Sequence, residues 1–143
     1  MEMLKSPSED DWVPSLGDTP FDRIGGEPGV RALTERFYDA MDAHEPALAR
    51  LHALDGDGKV NRETRERFGL FLVGWLGGPQ DYSARHGHPR LRMRHGHLAV
   101  DDAARDAWLR SMARALDQGG ITGGLRKFVD ARFLQVADFL RNQ

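Results

Sequence analysis

Apolar residues recur along this chain at the three-and-four spacing of helices rather than the alternation of strands. Val30, Leu33, Phe37 and Met41 mark one inward stripe, and Phe68, Phe71, Leu72 and Trp75 a second. Trp108, Met112 and Leu116 make a third, followed by Phe128, Val129, Phe133, Val136 and Leu140. No window sustains a period of two and no segment repeats, so strands have little support. The pattern predicts an all-α chain of four main helices with several short ones.

Breakers and caps place the boundaries. Thr19-Pro20 reads as a cap followed by proline at the first helical position, and Gly25-Gly26 stops that helix within a turn or so. A longer helix is expected from about Pro28 to His44, because Glu45 precedes Pro46 and is pushed from the helical region. Leu48 and Leu51 predict a short turn before the glycine-containing loop Asp55 to Lys59. Asn61 caps the next helix, which Gly77-Gly78-Pro79 ends. Gln80 to Gly96 reads as irregular, with a short helix over Pro89 to His95. Asp101 and Asp102 cap the following helix, and the last is expected from about Leu125, after a glycine-rich turn.

At 143 residues the chain fits one domain that can bury a core without disulfides. Its net charge of -2 gives no reason to expect nucleic acid or an anionic membrane surface. The absence of cysteine excludes thiolate metal sites and cysteine nucleophiles and fits the cytoplasm. No apolar run approaches the roughly 20 residues needed to span a bilayer. Residues 1–18 carry serine, proline and acidic side chains without a signal-like apolar core, and read as a flexible extension with Trp12 and Leu16 as docking points. Residues 19–143 form the domain.

Two clusters invite chemistry. Asp55, Asp57, Glu63 and Glu66 fall at positions 1, 3, 9 and 12 of a calcium loop, but Lys59 occupies a ligand position and Val60 replaces the glycine of the sharp turn. A solvated connection between helices is the better reading. The second cluster gathers Arg85, His86, His88, Arg90, Arg92, Arg94, His95 and His97. Alone, it reads as a solvated basic loop, an anion or nucleic-acid patch, a multi-histidine metal site of unfamiliar spacing, or one histidine on a metal held by a macrocycle.

Beyond that cluster, residues from about Phe21 to Phe139 carry several ordered motifs: Arg36-Phe37-Tyr38, Gly74-Trp75-Leu76-Gly77-Gly78-Pro79 with Tyr82, Gly87-His88-Pro89-Arg90-Leu91-Arg92-Met93-Arg94-His95, and Arg105-Asp106-Ala107-Trp108-Leu109. In order and spacing they resemble the group II truncated haemoglobins. The resemblance implies a truncated globin, a two-over-two helical sandwich around haem b, with His95 as the proximal iron ligand. A neutral imidazole donates a lone pair to the metal while its other nitrogen is oriented by a hydrogen bond. It also implies a polar distal cluster of Tyr38, His52 and Trp108. Thr64 falls where larger globins carry the distal histidine. Phe37, Phe68, Phe71, Leu72 and Leu91 are expected against the haem, with Arg92 as propionate partner and Tyr82, His88 and Arg94 as further candidates. Gly96 and His97 depart from the apolar residue and proline that the family often has there, and the extension has no counterpart in the family core.

The leading expectation is a haem protein that binds oxygen or another diatomic ligand, as a monomer or homodimer. Three donors contributing roughly 1–3 kcal/mol each predict slow oxygen release. The alternative is a haem peroxidase or a nitric-oxide or peroxynitrite detoxifying enzyme, which would call for a reductase partner. A third reading dispenses with haem and leaves a helical interaction module whose basic loop binds an anion.

Overall fold

In a computed structural model of the chain, residues 11–87 and 100–140 are described. Seven helices occur among them: α1 Pro20–Ile24, α2 Gly26–His44, α3 Pro46–Ala49, α4 Arg62–Trp75, α5 Asp81–His86, α6 Asp102–Gln118 and α7 Gly123–Leu140. The described residues contain no strand, only two isolated bridges, one of which joins Leu54 to Val60 and closes the loop before α4. No helix among them is long and apolar enough to cross a membrane.

The caps act where their side chains can reach. Thr19 Oγ1 accepts from the Asp22 amide at 3.1 Å, Asn61 Oδ1 from Thr64 at 2.9 Å, and Asp101 Oδ1 from Ala104 at 2.8 Å. Helix α2 starts two residues before the expected Pro28. Gly25 and Gly26 take φ of 113° and 68°, so the chain turns in one step and Pro28 sits in the first turn, where its missing N–H costs nothing. Helix α7 likewise starts at Gly123 rather than Leu125.

One helix lies where an irregular stretch was expected. Asp81–His86 forms α5 because Tyr82, 6% exposed, packs edge-on against Phe71 of α4 with ring centroids 5.7 Å apart. Tertiary contact supplies what local periodicity lacks.

The four long helices form two layers. Helix α2 lies against both α4 and α6, and α6 against α7. Phe37, Leu33, Met41, Leu72, Met112 and Leu116 fill the seam, each essentially inaccessible to solvent. Burial of side chains of this size contributes about 1.5–3 kcal/mol apiece.

The residues before α1 are partly docked. Trp12 is buried, meets Phe128 edge-on at 6.1 Å and donates from Nε1 to Asp18 Oδ2 at 2.8 Å. Leu16, the other expected docking point, is fully exposed. Arg23 grips the Asp18 carboxylate through two N–H bonds of 2.7 and 2.8 Å. These bonds from Arg23, and then Trp12, hold the Asp18 carboxyl down to about 2. Its contribution to stability is therefore present above the ordinary carboxylate value of 3.8 and is lost as pH falls toward about 2. Asp18→Asn should free this segment at neutral pH and speed proteolytic cleavage within residues 12–18. Unchanged cleavage would mean that the ring contacts of Trp12 with Phe128 and Arg23 hold the segment without the Asp18 carboxylate.

Candidate functional site

Between the two helical layers lies a cavity of about 570 Å³. Every long helix contributes to its wall. Tyr38 comes from α2, Thr64, Phe68 and Phe71 from α4, Trp108 from α6, and Val136 and Ala137 from α7. Leu48 of α3, Leu51 and His52 close one side, and Tyr82 of α5 another. Asn61, Glu63, Arg67 and Arg105 add the charged and polar part of the lining.

The polar aromatic groups sit on a packed foundation. Phe37, wholly buried, meets Tyr38 edge-on at 4.9 Å and Trp108 at 5.2 Å, and lies 5.4 Å from Phe68. Such offset and edge-on arrangements are the favoured ones for aromatic rings. Phe68 and Phe71 then stack at 6.2 Å and give the cavity a flat apolar wall. Tyr38 is only 4% exposed as a residue, and its hydroxyl makes no protein hydrogen bond among the described residues; no buried side-chain polar atom there lacks a partner, so this oxygen opens onto the cavity rather than being sealed in the core. The same holds for the Trp108 indole N–H. Burial pushes the Tyr38 phenol well above its ordinary range, against the lowering pull of the Arg65 guanidinium, so the hydroxyl keeps its proton and remains a donor.

His52 behaves differently. Its Nδ1 lies 3.0 Å from the Leu48 carbonyl, which can only accept, so Nδ1 carries the proton. In the neutral ring Nε2 is then an acceptor, and only the imidazolium offers a second N–H. His52 thus spends its one neutral-ring N–H on the Leu48 carbonyl, whereas the Trp108 indole N–H has no protein acceptor among the described residues. The His52 ring stands edge-on to Tyr38 at 5.8 Å.

The structure thus brings Tyr38, His52, Thr64, Phe68, Phe71, Tyr82 and Trp108 to one cavity. Phe37 and Leu72, expected against the haem, stand behind that wall, fully buried, and support it rather than line it. His88, Leu91, Arg92, Arg94 and His95 lie outside the described residues. Asp55 and Asp57, of the discarded calcium reading, both accept from the Lys59 amide at 3.3 Å.

Several site residues escaped the sequence reading. Leu48, Leu51, Val136 and Ala137 line the cavity, although Leu48 and Leu51 marked only a short turn, Val136 only an inward stripe, and Ala137 gave no signal. Arg65 is 5% exposed, and its guanidinium carbon lies 5.7 Å from the Tyr38 ring centroid. A signal did exist: Arg65 falls three residues before Phe68 and seven before Leu72, on the inward stripe, where a charge requires a buried partner.

The chemistry of this lining suits a flat, largely apolar macrocycle. The volume lies within the range of cofactor pockets, the walls are aromatic and aliphatic, and the polar donors are few. Arg67 and Arg105 bring cations to the lining, with Arg105 already held by Asp106 at 3.1 Å and Asp138 at 2.9 Å.

Comparison with known proteins agrees with this geometry. The bacterial-like globin family matches residues 19–141. A group 2 truncated hemoglobin of Bacillus subtilis is 34% identical over 126 residues, spanning 88% of this chain and 90% of that protein. Among solved structures, the cold-adapted truncated hemoglobin of Pseudoalteromonas haloplanktis superposes with a TM-score of 0.79 at 39% identity, covering 87% of this chain and 98% of the other. The truncated oxygen-avid haemoglobin of Bacillus subtilis gives 0.77 at 34% identity, covering 87% and 99%. The fold is the two-on-two globin sandwich, and the chain belongs to the bacterial-like globins, among the group II truncated haemoglobins, a family whose members hold haem.

Proposed function

We propose that this chain binds oxygen or another diatomic ligand at haem b, with His95 as the iron's protein ligand, in the cytoplasm. The haem iron supplies the bond to the ligand; the chain supplies the surroundings. Tyr38 and Trp108 carry the proposal, because an O–H and an indole N–H with no protein acceptor among the described residues line a largely apolar cavity. A polarised diatomic ligand provides the acceptor that both lack. Phe68 and Phe71 keep the wall dry, which strengthens each hydrogen bond inside. Thr64 adds a small hydroxyl side chain to the same lining. A structural relative bears the description oxygen-avid, in keeping with two donors.

The test is the oxygen dissociation rate. Losing one hydrogen bond of about 1–2 kcal/mol should speed release roughly 5- to 30-fold in Tyr38→Phe and in Trp108→Phe. Fast release in the wild type, unchanged in Trp108→Phe, would sink the proposal.

A second reading makes the protein a haem peroxidase or a nitric-oxide or peroxynitrite detoxifying enzyme. His52 favours it, since a titratable ring beside a donor phenol can move a proton within the cavity. Turnover with hydrogen peroxide and a reductant, set against a non-enzymatic globin, separates the two.

A further inference from the structure

We propose that Arg65 is a positioning residue for ligand binding, a cation that bridges α4 to α2 and fixes the ring of Tyr38. The proposal rests on the reading of Tyr38 as a ligand donor. Arg65 uses its whole fork. Nε donates to the Val60 carbonyl at 2.9 Å, Nη1 to Asp39 Oδ1 at 2.7 Å and Nη2 to Asp42 Oδ2 at 2.6 Å, with Glu35 Oε2 3.5 Å from Nη1. Asp39 and Asp42 stand one and four residues after Tyr38 on the same helix, so the ion pairs anchor the guanidinium to the element that carries the tyrosine.

Tyr38 is boxed on its other sides by Phe37, Phe68 and His52, at centroid distances of 4.9, 5.9 and 5.8 Å. Among these neighbours Arg65 alone is held by charged partners on α2. A guanidinium over an aromatic face is attracted by the ring's quadrupole and resists its displacement. Asp42 Oδ1 also accepts from the Val60 amide at 3.2 Å, so the loop ahead of α4 is locked to the same group. Lysine keeps the charge but has no planar fork with which to reach both carboxylates and the carbonyl.

A double-mutant cycle on the haem-loaded protein tests the assignment. Arg65→Lys should speed oxygen release about 3- to 10-fold in the presence of Tyr38 and leave the rate unchanged in the Tyr38→Phe background. An equal factor in both backgrounds would overturn the proposal, because Arg65 would then act on the pocket as a whole. Asp39→Asn is the milder companion, should Arg65→Lys not fold. It leaves Arg65 and Asp42 in place and should give a smaller effect with the same dependence on Tyr38. The chain has two tyrosines, so ring signals in the NMR spectrum report on position directly. Those of Tyr38, assigned against Tyr38→Phe, should shift in the folded variant while those of Tyr82 stay. Unmoved Tyr38 signals would overturn the proposal. If Tyr38→Phe itself leaves oxygen release unchanged, the donor reading fails separately, and the ring signals still decide whether Arg65 positions Tyr38.

Discussion

His95→Gly should abolish normal haem ligation, and added imidazole should restore it. The proposal assigns His95 the lone pair that holds the iron. Loss of a partner that merely orients a metal ligand costs about 10- to 100-fold in affinity, so loss of the ligand itself should exceed that. Glycine leaves a gap the size of the missing ring, which free imidazole can fill. Visible absorption spectra of the wild type and the variant, each reconstituted with haem, provide the measurement. A spectrum disturbed by the substitution and recovered with imidazole assigns the ligand. Spectra identical from the start would take His95 out of the role and turn attention to His88 and His97.

Phe37→Ala should produce the largest loss of stability, about 3–5 kcal/mol. The ring is wholly inaccessible and touches Tyr38, Phe68 and Trp108 together, so its removal opens a hole behind three cavity residues at once. Aromatic pairing adds about 0.5–1.5 kcal/mol for each good ring contact beyond the area buried. For a chain of this length the thermal midpoint, followed by circular dichroism, should fall by roughly 10 °C or more. Phe37→Leu should recover most of it by refilling the volume. A midpoint within about 2 °C of the wild type would mean that the neighbouring rings close the hole, and that Phe37 does not brace the cavity.

Local signals anticipated most of the architecture because they act over a few residues. Thr19, Asn61 and Asp101 cap helices through bonds three residues long, and the stripes through Phe37, Phe68 and Phe133 face inward as their spacing requires. Helix α5 was missed because Tyr82 is its sole buried residue, which is too little periodicity to detect. The cavity was harder. Tyr38 and Trp108 have the sequence setting of ordinary core aromatics, and only the family resemblance singled them out. The tautomer of His52 depends on the Leu48 carbonyl four residues earlier, which becomes a partner only once the chain turns after α3. Arg65 resembles the exposed arginines around it until Asp39 and Asp42 are brought across from another helix.

A cavity of about 570 Å³ amid the helical layers means that the polypeptide does not complete its own interior. Haem would then serve as a missing piece of core, and mass action ties folding to its supply. A cofactor at a hundred times its dissociation constant adds about 2.7 kcal/mol to the folded state. Changes of about 1–2 kcal/mol alter cellular abundance several-fold, through chaperones and proteases that clear the unfolded chain. The quantity of this globin in a cell would therefore track haem availability as well as synthesis, with the unfilled chain removed first.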